Sequence, residues 1–323
     1  MRGTRAVFGV ALAAVAVVAT ACGSGDPTKP SAAPSTAESS TTAGSSSTSG
    51  SPTPAQTDSI VVGSANFQES VVLADIYAEA LKAKGVKVST KLNIGSRETY
   101  IPALKDGSID LLPEYSGVLL QYFDTKATAV SSTDVYAALQ TAVPSGLTVL
   151  DQSSAEDKDA IVVSKDVAAK YHLTSIADLA AVAGKLTLGG PPEFKTRPDG
   201  VPGLKADYGV TFGSYKTLDA GGPLTVNALK NGQIDAGDIF TTDPSITQNG
   251  FVVLADPKFE FAAQNVLPLI NKSKASDTVK TTLNAVSAKL DTKTLIDLLT
   301  KVVSDKQDPD ATAKAWLTSV GLG

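Results

Sequence analysis

The chain offers few of the side chains that enzymes use for catalysis or for metal binding. It contains one histidine, His172, and one cysteine, Cys22, among 323 residues. A serine hydrolase would need His172 as its general base, and no GxSxG element accompanies it. A single histidine is also too few ligands for a zinc site. We interpret His172 as a solvated surface side chain and expect no metal, no cofactor and no enzymatic activity.

Two pairs of carboxylates have the composition of a glycosidase site. Glu98 and Asp106 lie close together in the sequence, and so do Asp110 and Glu114. Glycoside hydrolysis requires two carboxyl groups that flank one bond. No other feature marks these four residues as a site, so we interpret them as ordinary ends of helices and strands.

Aromatic residues stand at matching positions in two stretches that echo each other. ALKDGSIDLLPEY ends at Tyr115 and ALKNGQIDAGDIF ends at Phe240, 125 residues further on. Each stretch predicts a helix that stops at a glycine in the left-handed conformation, followed by a strand that begins at Ile-Asp. Open α/β folds bind ligands at the carboxyl edge of the sheet, where both aromatics would lie. The echo predicts two lobes that share one ligand site, although such helix-Gly-strand units also recur by chance.

Arginine is rare in the chain and therefore informative. After the N-terminal leader, Arg97 and Arg197 are the only arginines, against 24 lysines. A planar guanidinium is suited to a two-pronged contact with a carboxylate. We interpret Arg97 as a surface residue at a helix start, paired with Glu98 or Asp106. We interpret Arg197 as a functional residue.

Short strands and helices alternate along the chain and must position these residues. SIVVGSANF, VKVSTKLNIGS and IDLLPEYSG predict strands, the last breaking into a loop, and DAIVVS, LTLGGP, VVLAD and NVLPLI predict further ones. QESVVLADIYAEALKAKG, ETYIPALKDG, SIADLAAVAG, PLTVNALKNG and the stretch from Asp277 to Asp305 predict helices. This alternation predicts α/β layers with mostly parallel sheets.

The N-terminal region has the pattern of an export signal. Arg2 and Arg5 precede an uncharged run of small and apolar residues that ends in VATAC at Cys22. The run is shorter than the ~20 residues of a membrane-spanning helix. VATAC resembles the lipobox of a bacterial lipoprotein, so we expect residues 1–21 to be a signal peptide and Cys22 to be lipidated. Acylation would leave no thiol for chemistry, and one cysteine allows no internal disulfide.

A polar tether follows the predicted anchor. Residues 23–57 contain no Val, Ile, Leu, Met or aromatic residue, so we expect them to be disordered. As a flexible coil the tether would reach roughly 30 Å. The body from Asp58 to Gly323 has 266 residues, more than one core usually serves. Without the leader, 26 basic residues face 33 acidic ones, a net charge of about −7 that argues against nucleic-acid binding.

Longer motifs resemble one family over essentially the whole body. GSANFQES, LNIGS, ALKDGSIDLLPEYSG, PPEFKTRPDGVPGLKADYG and NGQIDAGDIFTTDPSI resemble, in order and spacing, the substrate-binding proteins of glycine betaine, carnitine and choline ABC transporters. The resemblance implies an α/β, two-lobed type II periplasmic-binding-protein fold, a clamshell with two hinge crossings. We place lobe 1 at residues 58–157 and 264–323, and lobe 2 at residues 158–263.

The resemblance also implies partners and a location. The protein would be a monomer, lipid-anchored on the extracytoplasmic face of the cell membrane and in contact with the membrane through its anchor only. It would capture a small osmolyte and deliver it to an ABC permease with its ATPase subunits.

The family's site residues transfer to this chain only in part. Tyr115 matches a tyrosine of the aromatic cage that holds a trimethylammonium group, Phe240 stands where tyrosine is common, and Arg197 matches the arginine that holds a carboxylate. The predicted site also contains Asn66, Ser116 and Thr241, which belong to the same motifs.

Other positions depart from the family pattern. Asp159 and either Val226 or Asn227 stand at sites of further cage aromatics, Ala65 replaces a frequent lysine, and Val118 replaces a hydroxyl residue. A desolvated cation–π contact contributes about 2 kcal/mol, whereas micromolar binding needs about 8 kcal/mol.

Three interpretations stay open at this point. Asp157 or Asp159 could supply a negative wall that compensates for the missing cage residues. Alternatively, the pocket has diverged to bind an uncharged polyol, an aromatic compound or another zwitterion. A purely structural or adhesive lipoprotein is the third possibility.

Overall fold

The computed structural model describes residues 59–323. The predicted signal peptide, Cys22 and the whole of the predicted tether lie outside the described residues. Residues 59–323 contain ten strands: β1 (Ile60–Gly63), β2 (Val88–Lys91), β3 (Leu111–Tyr115), β4 (Leu147–Val149), β5 (Ile161–Val163), β6 (Thr187–Gly190), β7 (Ser214–Thr217), β8 (Ala236–Asp238), β9 (Val252–Val253) and β10 (Val266–Asn271).

The same residues contain eleven α-helices: α1 (Gln68–Ala83), α2 (Arg97–Lys105), α3 (Ser116–Phe123), α4 (Ser132–Ala142), α5 (Lys165–Tyr171), α6 (Val201–Tyr208), α7 (Pro223–Lys230), α8 (Ser245–Asn249), α9 (Asp277–Ser287), α10 (Thr292–Leu299) and α11 (Pro309–Ser319). Short 3₁₀ helices lie at Ile176–Ala181, Ala183–Lys185 and Lys272–Lys274, and a π-helical turn spans Thr300–Ser304.

The strands form two five-stranded sheets built on the same plan. The first sheet has the order β2-β1-β3-β10-β4, and the second has the order β7-β6-β8-β5-β9. The chain passes from the first sheet to the second between β4 and β5, and it returns between β9 and β10. An isolated bridge between Glu156 and Asn265 joins the two crossing segments.

The prediction of mostly parallel sheets is wrong, because each sheet also contains one strand that is antiparallel to both of its neighbours. In the first sheet β1 runs parallel to β2 and β3, but β10 is antiparallel to β3 and β4. In the second sheet β6 runs parallel to β7 and β8, but β5 is antiparallel to β8 and β9. The antiparallel strand in each case is the one that the chain enters from the other sheet, so the crossings account for the mixed direction.

Helices cover both faces of each sheet. One apolar cluster joins β1, β3 and β10 to α1 and the C-terminal helices α9, α10 and α11, and another packs α2, α3 and α4 on the opposite face. Two further clusters flank the second sheet. Because these cores close among the described residues, we expect residues 58–323 to fold without the segment before them.

The echo has a structural explanation in addition to its aromatics. Gly107 and Gly232 follow α2 and α7 with φ of 80° and 67°, the left-handed conformation that the sequence predicted. Asp110 accepts a hydrogen bond from the Val61 amide at 2.9 Å, beside β3. Its counterpart in the second sheet, Asp235, accepts from the amide at the start of β6 at 2.8 Å. Each aspartate therefore ties the start of its strand to the neighbouring parallel strand.

Most predicted elements are present, with three corrections. Ser116 begins α3 directly after β3, where we expected a loop. The stretch from Asp277 to Asp305 is divided into two α-helices and a π-helical turn. SIADLAAVAG forms 3₁₀ helices. His172 is exposed at the end of α5, as predicted.

Candidate ligand-binding cleft

A cavity of about 900 Å³, counting the part open to solvent, lies among side chains from both sheets and both crossings. The first sheet contributes the turn after β1, the start of α2 and the end of β3. The second sheet contributes the loop between β6 and α6, the residues after β7 and the end of β8. Residues from both strand edges thus meet in one place, as the echo predicted.

Three aromatic rings lie against each other on one wall of this cavity. The ring centroid of Phe67 is 6.1 Å from that of Tyr115 and 5.0 Å from that of Phe240. Phe67 stands at the start of α1 and was missed in the sequence, although it closes the GSANF motif. The rings offer π faces, which attract organic cations.

A buried hydrogen-bond network fixes the tyrosine of this wall. The Tyr115 hydroxyl donates to Glu69 Oε1 at 2.6 Å, and the Thr242 hydroxyl donates to Glu69 Oε2 at 2.6 Å. Burial raises the pKa of Glu69 above its ordinary value, against the two hydroxyl donors, which lower it. Asp157 accepts from the Thr242 amide at 3.0 Å, and burial also raises the pKa of Asp157. Because Thr242 follows β8 while Glu69 lies in α1, this network connects the two sheets.

Acidic side chains form a second wall. Asp159, Asp199 and Asp238 line the cavity, and no lysine is found among the described residues that line it. Burial raises the pKa of Asp159 to about 6, and the nearby charge of Asp199 raises it while Arg197 lowers it. Burial raises the pKa of Asp199 and of Asp238 as well. A cluster of carboxyl groups with raised pKa values favours a bound cation.

Arg97 lines the cavity and is buried, so its predicted place on the surface is wrong. Its Nε and Nη2 atoms donate to the two carboxylate oxygens of Glu114, both at 2.8 Å. The Tyr100 hydroxyl donates to the same carboxylate at 2.9 Å. Burial disfavours the charge, yet the Glu114 carboxylate holds the pKa of Arg97 well above its usual value.

Arg197 also forms a two-pronged ion pair with a carboxylate of the protein. Its Nε and Nη2 atoms donate to Glu98 at 3.1 and 3.0 Å. Burial opposes ionisation of Glu98, but the hydrogen bonds from Arg197 prevail and lower the pKa of Glu98 to about 2. The pair joins the loop after β6 to the start of α2. The predicted contact of Arg197 with a ligand carboxylate stays a prediction.

The structure brings most of the predicted site residues together. Those that line the cavity are Ala65, Asn66, Tyr115, Asp159, Arg197 and Phe240. Asn227 lines a second cavity that shares Phe67 and Phe240 with the first.

Two predicted site residues hold the scaffold instead. The Ser116 hydroxyl donates to the Ala263 carbonyl at 3.1 Å and accepts from the Asn265 amide at 3.0 Å. The Thr241 hydroxyl accepts from the Lys158 amide at 3.0 Å and donates to Asp157 at 3.1 Å.

Asp238 was not among the predicted site residues, although the sequence contained a signal for it. Asp238 precedes Phe240 by two residues, and residues two apart along a strand lie on the same face. Its counterpart in the first echo is Pro113, so the comparison of the two copies hid the acid. Asp199, within the RPDG motif, gave no comparable spacing signal.

Two features are absent from the described residues. Among residues 59–323, no group of three or more His, Cys, Asp or Glu side chains is arranged to hold a metal ion. Nor does this part of the chain contain a helix with the length and apolar character needed to cross a bilayer.

The sequence matches known proteins over this same region. Residues 58–319 match the family described as the substrate binding domain of ABC-type glycine betaine transport system. The chain is 28% identical over 279 residues to a glycine-betaine-binding protein of Pseudomonas aeruginosa, covering 81% of this chain and 88% of that protein. It is 25% identical over 267 residues to a carnitine transport binding protein of Listeria monocytogenes, covering 80% of this chain and 86% of the relative.

Solved structures share the architecture. The crystal structure of a glycine betaine/carnitine/choline ABC transporter aligns with a TM-score of 0.65 at 23% identity, covering 81% of this chain and 99% of the other. A choline binding protein in complex with choline aligns with a TM-score of 0.59 at 16% identity, covering 81% and 88%. At these identities the likeness shows the fold, and the predicted two-lobed periplasmic-binding-protein fold is confirmed.

Proposed function

The chain belongs to the family of substrate-binding domains of ABC-type glycine betaine transport systems, and we propose that its cleft captures a small quaternary-ammonium osmolyte such as glycine betaine, choline or carnitine. As a member of that family it is the extracytoplasmic substrate-binding component of an ABC transporter and not an enzyme. The osmolyte class, the anchor and the site residues are the parts that we propose.

The observation that carries the proposal is the pairing of an aromatic wall with an acidic wall in one cavity. A quaternary ammonium group has no N–H to donate, so π faces are its natural partners, and Phe67, Tyr115 and Phe240 supply them. Three cation–π contacts of about 2 kcal/mol each fall somewhat short of the ~8 kcal/mol of micromolar binding. The carboxylates of Asp159 and Asp238 supply the remaining attraction.

Contacts between the two sheets support a closing motion of the lobes on the ligand. Arg197 meets Glu98 at 3.0 Å, and Phe240 meets Phe67 with ring centroids 5.0 Å apart. We propose that these contacts form when the lobes, at residues 58–157 with 264–323 and at residues 158–263, close around the osmolyte. Closure would bring the two aromatics of the echo to one ligand.

The location and partners follow from the sequence and the family. We propose that Cys22 is lipidated after removal of residues 1–21 and that the polar tether holds a monomeric body beside the membrane. There the closed body would dock on an ABC permease driven by its ATPase subunits.

Isothermal titration of residues 58–323 with glycine betaine, choline, carnitine and an uncharged polyol tests the proposal. Micromolar heat with at least one trimethylammonium compound, and none with the polyol, is expected. Heat from the polyol alone would mean that the fold is retained while the pocket has changed its specificity. Absence of heat with every compound would favour a structural role.

A further inference from the structure

Glu69 is a buried carboxylate that two hydroxyl groups bind from different parts of the fold. It lies in the first turn of α1 and is 3% exposed, and none of the ion pairs among the described residues includes it. The Tyr115 hydroxyl donates to Oε1 and the Thr242 hydroxyl donates to Oε2, both at 2.6 Å. Bonds of this length are typical of an O–H group that donates to an ionised carboxylate. Because a buried charge without donors is costly, Glu69 depends on both hydroxyl groups.

The two donors come from the two sheets. Tyr115 ends β3 in the first sheet, on which α1 also packs, whereas Thr242 follows β8 in the second sheet. Asp157, in the first crossing segment, holds Thr242 by accepting from its amide at 3.0 Å. The bond from Tyr115 to Glu69 therefore lies within the first lobe, and the bond from Thr242 to Glu69 joins the two lobes. Only the second bond breaks when the lobes move apart.

The Tyr115 side chain connects this carboxylate to the ligand cavity. Tyr115 lines the cavity, whereas neither Glu69 nor Thr242 does. A cation held against the Tyr115 ring is thus one side chain away from the Glu69 carboxylate. Its positive charge favours the ionised carboxylate, and an ionised acceptor strengthens the hydrogen bond from Thr242. Because such coupling is reciprocal, the bond from Thr242 also favours retention of the cation.

Other polar contacts between the sheets lack this connection to the aromatic wall. The ion pair of Arg197 with Glu98 lies at an exposed position, and so does the hydrogen bond that Gln248 donates to the Ser304 hydroxyl at 2.6 Å. Neither pair hydrogen-bonds one of the three aromatic residues. The bond between Thr242 and Glu69 is buried and shares its acceptor with a residue of that wall.

We propose that Glu69 is a positioning residue of the cleft, which holds the Tyr115 ring through one carboxylate oxygen and receives Thr242 at the other oxygen only when the lobes close. This inference rests on the proposed function and adds the residue that couples capture of the cation to closure. Glu69 acts without lining the ligand cavity. Loss of the Thr242 hydroxyl should therefore shorten the time for which the ligand stays bound and leave the surfaces that contact it unchanged.

Three substitutions test this role. Thr242→Val keeps the shape of the side chain and removes the hydroxyl that donates to Glu69, and Thr242→Ser keeps a hydroxyl at the same place. Thr312→Val is the matched control, because Thr312 is also buried and its hydroxyl donates to the Asp308 carbonyl at the start of α11, at 2.8 Å. That bond lies within one helix, so it does not depend on the position of the lobes.

Ligand kinetics are measured by stopped-flow mixing of residues 58–323 with choline and with glycine betaine. We expect Thr242→Val to raise the dissociation rate by roughly 10- to 100-fold, as the loss of a hydrogen bond to a charged group implies, and to leave the association rate within about threefold. Thr242→Ser and Thr312→Val should both retain the dissociation rate of the wild type within about threefold.

Urea unfolding of the ligand-free variants distinguishes a bond that forms on closure from one that is always present. A bond that forms on closure contributes nothing to a ligand-free chain whose lobes are mainly open, so Thr242→Val should unfold at the same urea concentration as Thr242→Ser. Thr312→Val removes a permanent bond, so it should unfold at a lower concentration than the wild type. The two valine variants are thus expected to show opposite patterns in kinetics and in stability.

The outcomes separate this inference from the proposed function. An unchanged dissociation rate in Thr242→Val overturns the inference and leaves the proposed function intact. A ligand-free Thr242→Val chain that is less stable than Thr242→Ser, or that does not fold, has the same meaning, because the bond is then permanent. If the wild type binds no trimethylammonium compound, the proposed function is wrong. The urea comparison then decides between a bond that forms on closure and a permanent one.

Discussion

Replacement of Phe240 by leucine separates the attraction of its π face from the apolar contact that it makes. Phe240 is half-buried, and its ring packs against the backbone of Gly221 and lies 5.0 Å from the ring of Phe67. Leucine keeps an apolar side chain in this position but removes the quadrupole. Cation–π contacts contribute about 0.5–1 kcal/mol when exposed and about 2 kcal/mol when desolvated, so we expect a loss of about 1–2 kcal/mol for choline, or roughly 5- to 30-fold in Kd.

The assay uses a pair of ligands that differ in charge. 3,3-Dimethylbutan-1-ol has the shape of choline with carbon in place of the charged nitrogen, and its affinity for wild type and Phe240→Leu is measured in the same titrations. We expect the substitution to weaken choline binding and to change binding of the neutral alcohol by less than about 0.5 kcal/mol, because the apolar contact is kept. An equal loss for both ligands would refute the cation–π argument and reduce Phe240 to a packing residue.

Three further predictions concern stability, and urea unfolding measures each. Arg97→Met should destabilise the protein by about 3–5 kcal/mol, because it leaves the buried Glu114 carboxylate without its cation. Asp110→Ala and Asp235→Ala should each cost about 1–2 kcal/mol, by similar amounts, because each removes one hydrogen bond to the neighbouring strand. Burial raises the pKa of Glu260 to about 8, so the folded state binds more protons than the unfolded state above pH 4.5. The free energy of unfolding should therefore fall by about 1–3 kcal/mol from pH 5 to pH 8. Glu260→Gln should remove that fall.

Each of these three predictions has a control measurement whose result could contradict it. Arg197→Met breaks an ion pair whose glutamate is 46% exposed, so it should cost less than about 1 kcal/mol; an equal cost for both arginines would refute the buried-pair argument. Asp106 accepts only a local bond from the Ser108 amide, and a loss in Asp106→Ala as large as in Asp110→Ala would contradict the role of the strand contact. Parallel pH profiles of wild type and Glu260→Gln would exclude Glu260 as the titrating group.

The sequence predicted best where one local pattern determines the structure. The apolar spacing of α1 together with the left-handed Gly85 defined a helix and its end. The echo likewise predicted two glycine stops and two aromatics at one cleft. In these segments the helix end and the buried face depend only on residues a few positions apart, so the sequence alone predicts them.

The sequence failed where distant segments determine the environment. Arg97 has the local context of an exposed helix start, and its burial depends on β3 delivering Glu114 beside it. A signal was available, because Glu114 is a charge within the apolar strand LLPEY, and a buried charge requires a partner. The direction of β10 relative to its neighbours could not be deduced. A buried apolar strand such as VLPLIN is compatible with both parallel and antiparallel pairing. Phe67 is the residue directly before α1, where no periodic pattern marks the face of a side chain.

A crystal structure of residues 58–323 with bound choline tests the central claim most directly. We expect the trimethylammonium group of choline to lie against the rings of Phe67, Tyr115 and Phe240, in the cavity that Asp159 and Asp238 also line. A ligand bound outside this cavity, or one whose charged head lies away from all three rings, would contradict it.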